Sequence, residues 1–153
     1  MRRRLASWSF SIFVAAAAAA HANRLSSIEI ADAQRLWASA DLKSYSYTVV
    51  EGHAFGYTTY HVRVRDGQCA ATSTVKLGPT RYPWKHVVCS GVTVSDLFSQ
   101  LSRMLSVTNV DVHATFDHKF GFPISFQVEH SDIEDADFSV LITEFKVTGG
   151  KRT

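Results

Sequence analysis

The sequence predicts an α+β protein in which one twisted, mostly antiparallel sheet of about six strands packs two helices on one face. Two observations support this prediction. Helical and strand periodicities alternate in the order helix, three strands, helix, three strands. The links between successive strands are short, and short links join antiparallel neighbours. Both helices should therefore cover the apolar face of the sheet and leave the outer face polar.

The clearest strand pattern is a hairpin between residues 110 and 129. Its apolar side chains recur at alternate positions on both sides of a turn: Val110, Val112, Ala114 and Phe116, then Phe122, Ile124, Phe126 and Val128. Period two with one apolar face predicts two half-buried strands. Their register should be well defined, because a slip of one residue would turn every apolar side chain to water.

Two capping boxes predict where the helices begin. Ser26 to Glu29 opens a helix that runs to about Ala40, and Thr93 to Asp96 opens a helix that ends near Ser106. Apolar residues at helical spacing follow each box, so each helix should bury one stripe.

Alternating patterns predict the other strands. These are Tyr45–Val50, about Tyr57–Arg65, about Gln68–Leu77 and Phe138–Val147, and Lys85–Cys89 is a candidate for a further short strand. Asp66-Gly67 predicts a tight type I′ hairpin turn. The last strand changes phase near Leu141 and Ile142, which predicts a bulge there.

The first 22 residues have the features of a secretory signal peptide. Arg2-Arg3-Arg4 is a basic start, residues 5–20 are apolar but short for a membrane span, and Ala20-His21-Ala22 matches a cleavage site. We therefore predict cleavage between Ala22 and Asn23, and export to the periplasm or the medium. The alternative is an uncleaved membrane anchor. No cysteine comes directly after the apolar run, so a lipid anchor is not indicated.

Removal of the signal peptide changes the charge. The sequence has 16 basic and 14 acidic residues, and three of the basic ones precede Asn23. The exported form would therefore be nearly neutral, with one more acidic than basic residue. Such a chain lacks the electrostatic attraction that nucleic-acid binding needs, so we predict no nucleic-acid partner and no membrane span after cleavage. Residues 23–153 have the length of a single domain.

Cys69 and Cys89 are the two cysteines of the sequence. An even pair in an oxidising compartment usually bonds, and closing this loop should stabilise the fold by roughly 3 kcal/mol. The alternative is a pair of buried free thiols, because spacing alone does not show that the Cα atoms lie close enough. A metal site is not indicated, since no C-x-x-C motif is present.

Several short motifs together carry a family resemblance. They are Trp37 followed by Tyr45-Ser46-Tyr47, Val62-Arg63-Val64-Arg65-Asp66-Gly67, Thr93-Val94 followed by Leu97-Phe98, and Phe116-Asp117 followed by Gly121-Phe122-Pro123. With these motifs, from about Trp37 to Phe145, the sequence resembles the domain-of-unknown-function 6174 family. The resemblance implies an exported bacterial protein and no particular activity. Family members often carry Cys-x-Cys near the first strand, but residues 51–57 have no cysteine, so no shared disulfide is implied.

The best candidates for metal ligands are His61, His113, Asp117 and His118. Imidazole and carboxylate groups suit zinc. The alternative is a solvated strand face with a turn aspartate that caps its own backbone. No established spacing such as H-E-x-x-H is present, so we predict no metal and no cofactor.

The acidic segment from Ser131 to Asp137 is a second candidate for a cation site. Its carboxylates are Asp132, Glu134, Asp135 and Asp137. Their spacing does not fit a calcium-binding EF-hand loop and the glycine of its sharp turn is missing, so we predict a solvated hairpin loop.

Two further groups are candidates for ligand or partner contact. His61, Arg63 and Arg65 form a basic row that could meet an anion, or that forms an ordinary wet sheet face. Tyr82 and Trp84 lie in a proline-rich loop, where rigid aromatic side chains make good anchors for a partner. The alternative for this loop is a lid that folds over the end of the core.

These observations favour a non-catalytic, exported binding or interaction module of the bacterial envelope. Its partner would be an envelope protein or a small apolar ligand held between sheet and helices. The sequence has no nucleophile elbow and no phosphate-binding glycine loop. A metal-dependent enzyme is the alternative, and it requires His61, His113, Asp117 and His118 in one cleft. A purely structural component would show a large exposed apolar patch or self-association.

Overall fold

The computed structural model describes residues 25–131 and 137–148. The predicted signal peptide with its cleavage site, most of the acidic segment and the last five residues lie outside the described residues. The proposed calcium ligands Asp132, Glu134 and Asp135 are among them.

Two helices and eight strands form within the described residues. In chain order they are α1 (Ser27–Ala40), β1 (Tyr45–His53), β2 (Gly56–Arg65), β3 (Gln68–Leu77), β4 (Thr80–Arg81), β5 (Lys85–Val87), α2 (Val94–Met104), β6 (Val110–Phe116), β7 (Pro123–His130) and β8 (Phe138–Val147). Both capping boxes are present, with Ser26 and Thr93 as the N-caps.

All eight strands belong to one antiparallel sheet with the order β4-β3-β2-β1-β8-β7-β6, and β5 also pairs with β3. The prediction of an α+β fold with two helices and an antiparallel sheet is confirmed, but the predicted count and element order are wrong. The difference lies between β3 and α2, where the chain returns along β3 in two short pieces. Strands of two or three residues are too short to show a period, so the sequence pattern misses β4 and leaves β5 uncertain.

The hydrophobic core lies between the two helices and one face of the sheet. Its most deeply buried side chains include Val49, Val62, Val94, Leu97, Phe98, Leu101, Val112 and Val128. From α1, Ile30 and Ala33 face this core. Leu25 is also buried, and its N–H donates to the carbonyl of Val112 in β6. The segment before α1 is therefore attached to the edge of the sheet.

An aromatic cluster fills the core beneath α1. Trp37 makes edge contacts with Tyr45, Phe122 and Phe145. Phe122 and Phe145 stack with their ring centroids 4.2 Å apart. Aromatic pairs in these geometries stabilise beyond the area they bury, so this cluster is a main attachment of α1 to the sheet.

The bulge in β8 lies at a different place from the predicted one. The register of β1 and β8 changes between Ser46 and Thr48, which pair with Lys146 and Thr143. Val140 and Ile142 are both buried and Leu141 is exposed, so the strand alternates regularly where the sequence pattern predicted a break. The bulge comes later in the strand, at Glu144 and Phe145.

The turn between β6 and β7 packs directly against α1. Gly121 has φ of +81°, and a Cβ built on it would lie 2.3 Å from the carbonyl oxygen of Ala33, so only glycine fits. Asp117 accepts hydrogen bonds from the backbone N–H groups of Lys119 and Phe120 at 3.0 and 2.6 Å. This is the self-capping turn that was the alternative to metal binding.

One inward position of the hairpin departs from the prediction. The register shifts between Thr115 and Phe116, which pair with Ser125 and Pro123, so Ile124 is left out of the ladder. Ile124 is 37% exposed, whereas Phe122, Phe126 and Val128 are buried as predicted. A bulge with one extra residue changes the phase of a strand, which a strict period of two does not anticipate.

The predicted disulfide between Cys69 and Cys89 is confirmed, with a Cα–Cα distance of 6.2 Å. Cys69 lies in β3 and Cys89 lies between β5 and α2. The bond therefore links the edge of the sheet to the segment that leads into the second helix.

Candidate functional site

A cleft lies on the outer face of the sheet, over strands β1, β2, β3, β5 and β8. Its volume is about 540 Å³. The lining residues are Ser46, Tyr47, Thr48, His61, Val62, Arg63, Ala70, Ala71, Thr72, His86, Glu144 and Lys146. Most of the polar members are alternate residues of their strands, on the side that the helices do not cover.

Three side chains at the centre of the cleft form a hydrogen-bonded row. The Thr48 hydroxyl donates to Glu144 Oε2 at 2.8 Å and lies 2.9 Å from Nδ1 of His61. A hydroxyl has one proton to donate. Because Thr48 donates this proton to Glu144, the Thr48 oxygen accepts a hydrogen bond from Nδ1–H of His61.

Glu144 reaches this row because of the bulge in β8. The extra residue turns Phe145 into the aromatic cluster and Glu144 toward Thr48. The backbone of Glu144 adopts φ of +56°, which is unusual for a residue with a side chain. Such strain persists only where the surrounding structure enforces it, and it is common at functional sites.

An aromatic side chain covers the row on one side. The ring of Trp84 stacks on His61 with a centroid distance of 4.3 Å and an interplanar angle of 21°. The sequence predicted different roles for these two residues. Trp84 was a partner contact and His61 was a candidate metal ligand. The fold brings them together, because β5 returns along β3 and so carries its preceding loop over β2.

Two cations line the cleft beside this row. Ser46 is paired with Arg63 on one side and with Lys146 on the other. Among the residues that the structure describes, neither cation forms an ion pair with a carboxylate. Arg65, the third member of the predicted basic row, does not line the cleft. The arrangement therefore places two positive charges on either side of Ser46, with the Glu144 carboxylate in the same cleft.

A second, smaller groove follows the cleft along β3. It has a volume of about 390 Å³ and is lined by Ser73, Thr74, Val75, Tyr82, Pro83, Trp84 and Lys85. Tyr82 and Trp84 are 50% and 45% exposed, so much of each ring is free for contact. Both residues proposed as partner contacts therefore line one groove.

The candidate metal ligands are not brought together. His61 lies on β2 and His113 on β6, and three strands separate β2 from β6, so the two are on the order of 19 Å apart at 4.8 Å per strand. Asp117 is engaged in its turn, and His118 follows it on the surface. Across the described ranges, no group of three or more His, Cys, Asp or Glu side chains could hold a metal ion.

Sequence reasoning missed two members of the central row, Thr48 and Glu144. They are 96 residues apart, and neither belongs to a recognisable motif. The available signal was the position of Thr48 on the polar face of a strand whose other face is strongly apolar. Its partner depends on the pairing of β1 with β8 and on the bulge, which no local pattern specifies.

Fold and cleft together define a two-layer α+β domain with a polar cleft on its open sheet face. The chain belongs to a family of unknown function, DUF6174, whose sequence model matches residues 29–147. A comparison with curated proteins found no match. The family has no assigned catalytic or binding function, so the chemistry of the cleft is the guide to function. Within the described residues, no helix is long and apolar enough to cross a membrane.

Proposed function

We propose that the protein is a non-catalytic, exported binding module that holds a small anionic ligand in the cleft on the outer sheet face. The observation that supports this proposal most directly is the pair of cations, Arg63 and Lys146, which lie on either side of Ser46 and form no ion pair among the described residues. Charged groups of this kind bind carboxylates and phosphates through charge-assisted hydrogen bonds. The planar guanidinium adds two parallel donors, which favours an oxyanion.

The central row makes this cleft well suited to binding. Thr48 is buried, and its hydrogen bonds to His61 and Glu144 fix the floor of the cleft before a ligand arrives. A preorganised site loses little conformational entropy on binding.

Export is proposed from the sequence and is compatible with the fold. Residues 1–22 have the three parts of a signal peptide, and the predicted cleavage site lies shortly before Leu25, the first residue of the core. A disulfide persists in an oxidising compartment. We propose that residues 23–153 act as a single domain in the periplasm or the medium.

The proposal differs from the apolar ligand that the sequence suggested between sheet and helices. The cleft described above lies on the opposite face of the sheet, and its polar lining favours an anion. An envelope protein remains a candidate partner, because an acidic side chain of such a protein offers the same oxyanion.

Calorimetric titration of the purified protein with inorganic phosphate tests the proposal. We expect saturable binding that weakens as salt increases, because the contacts are charge pairs at a solvated surface. Arg63→Gln should weaken binding about tenfold or more, since a hydrogen bond to a charged group contributes roughly 1.5–3 kcal/mol. Arg65→Gln is the matched control, because it removes the same charge from the same strand outside the cleft.

Equal effects of the two arginine substitutions would show non-specific charge attraction and contradict the proposal. A titration with phosphate that shows no saturable heat would also contradict it. Intact folding of both variants is checked by urea unfolding of the same preparations.

A further inference from the structure

We propose that the ligand is a phosphate monoester that carries a planar aromatic ring, of the size of a nucleoside monophosphate. The phosphate would lie between Arg63 and Lys146, and the ring would lie in the groove of Tyr82 and Trp84. This inference rests on the proposed function, because it places the anionic half of the ligand in the same cleft. It adds the second subsite and the chemical class of the ligand.

The two subsites are continuous along one strand. Ala70, Ala71 and Thr72 line the cleft, and the next three residues, Ser73 to Val75, line the groove. Trp84 forms a wall of the groove and stacks on His61, which belongs to the cleft. The Trp84 ring is therefore the contact that connects the two subsites.

The aromatic groove is held rigid by backbone contacts. The N–H of Tyr82 donates to the carbonyl of Val75 at 2.8 Å, and the Thr74 hydroxyl donates to the carbonyl of Tyr82. Pro83 restricts the backbone between the two rings. Rings that are fixed in place and half exposed present a stacking surface, and aromatic bases stack on such surfaces with little dependence on sequence.

The spacing of the subsites selects the length of the ligand. Arg63 pairs with Ala70, and Thr74 in the groove lies four residues further along β3. At 3.3 Å per residue this is about 13 Å, and the gap is smaller because Trp84 leans back over His61. A phenyl phosphate is too short to fill both subsites, whereas a nucleoside monophosphate has a sugar between its ring and its phosphate.

The central row fits the sugar of such a ligand. Along the strand direction, His61 lies between the level of Arg63 and the level of the groove, and Glu144 contacts the same Thr48 hydroxyl from β8. The Glu144 carboxylate accepts hydrogen bonds, and sugar hydroxyls are donors. Carboxylates bind ribose hydroxyls in this way in dinucleotide-binding proteins. An acid in a cleft for anions is otherwise unexpected, so the strained Glu144 supports a ligand with hydroxyl groups beside its phosphate.

Three probes separate the two halves of the ligand: adenosine 5′-monophosphate, ribose 5-phosphate and adenosine. Each is titrated calorimetrically into the full protein. We expect adenosine monophosphate to bind at least tenfold more tightly than either fragment, because it alone fills both subsites. Trp84→Ala should weaken its binding about tenfold and leave ribose 5-phosphate within twofold of the parent value.

Two variants control this measurement. Phe55→Ala removes an aromatic side chain that is 75% exposed at the turn between β1 and β2, outside both subsites, and should leave the affinity unchanged. Trp84→Phe retains a stacking surface and should restore most of the affinity that Trp84→Ala loses.

The outcomes distinguish this inference from the proposed function. Equal affinities for adenosine monophosphate and ribose 5-phosphate, both sensitive to Arg63→Gln, would overturn the aromatic subsite and leave the anion site intact. Adenosine binding as tightly as its monophosphate would overturn the phosphate site. Binding of none of the three probes would overturn the inference, and the phosphate titration above then decides the proposed function separately.

Discussion

Strand β1 shows two faces of the same segment with opposite properties. Tyr45, Tyr47 and Val49 are buried against the helices, whereas Ser46 and Thr48, which alternate with them, line the open cleft. The buried residues pack in the core around Trp37 and Phe145. On the open face, Ser46 is paired with the two cations, and Thr48 is hydrogen-bonded to an acid and a histidine. The central strand therefore has one set of residues that stabilises the core and another that lines the candidate site. Substitutions on the two faces should therefore have separable effects.

The largest expected effect comes from removing an aromatic ring of the covered face. Trp37→Ala should lower the free energy of unfolding by about 3–5 kcal/mol, because it leaves a cavity among Tyr45, Phe122 and Phe145. Trp84→Ala is the matched substitution on the open face. It removes one stacking contact of a half-exposed ring and should cost about 1 kcal/mol or less. Urea unfolding of both variants measures the difference.

Similar losses in the free energy of unfolding for the two tryptophan variants would contradict this prediction. The open face would then contribute to stability as much as the covered one. In that case a loss of ligand binding in Trp84→Ala would reflect unfolding, and the substitution to phenylalanine would be the appropriate probe.

A second, smaller effect concerns the link between the sheet and the helix layer. Replacing Cys69 and Cys89 together by serine should lower stability by roughly 3 kcal/mol, because the bond closes a loop that opens freely in the unfolded chain. In the exported parent protein, intact mass should be about 2 Da below the reduced value, since the bond removes two hydrogens. Two free thiols in that protein, or an unchanged unfolding midpoint in the double variant, would contradict the prediction.

The two faces also explain how much of the fold the sequence could predict. Alternation along β1, β2 and β6 places the apolar residues correctly, because the side-chain period of a strand is two whatever its neighbours are. The capping boxes at Ser26 and Thr93 are local and are present as predicted. The bulges at Ile124 and Glu144 are not local, because they depend on the register with a partner strand.

The candidate site was harder to predict because it is assembled from distant strands. The sequence singled out all three residues that meet here, but in separate roles. His61 was a candidate metal ligand, Arg63 was part of a basic row, and Trp84 was a partner contact in a loop. Their common location depends on the order of strands in the sheet, which the sequence does not reveal. The grouping of His61 with His113 was wrong for the same reason, since shared residue type says nothing about which strands are neighbours.

The smallest predicted effect compares an acid of the covered face with the acids of the open face. Glu51 lies on the covered side, next to Val140 in the ladder and within hydrogen-bond reach of Tyr60. Burial raises the pKa of the Glu51 carboxyl above its ordinary value, although the hydrogen bond to Tyr60 and the nearby His53 oppose this shift. Burial also raises the pKa of Tyr60, and the Glu51 charge adds to that shift.

The raised pKa gives the stability a defined pH dependence. The folded state holds the Glu51 proton to a higher pH than the unfolded chain does, so this residue contributes most below the unfolded pKa near 4.3. That contribution is lost as pH rises through the folded pKa.

Glu51→Gln removes the charge but keeps a hydrogen-bonding group, so it should stabilise at pH 7, by at most about 1 kcal/mol because the site is half exposed. It should bring no gain at pH 4. Glu129→Gln removes a charge from the open face as a control for surface charge. A gain for Glu51→Gln that is equal at both pH values, or no larger than that of the control, would show that the covered face tolerates an ionised acid.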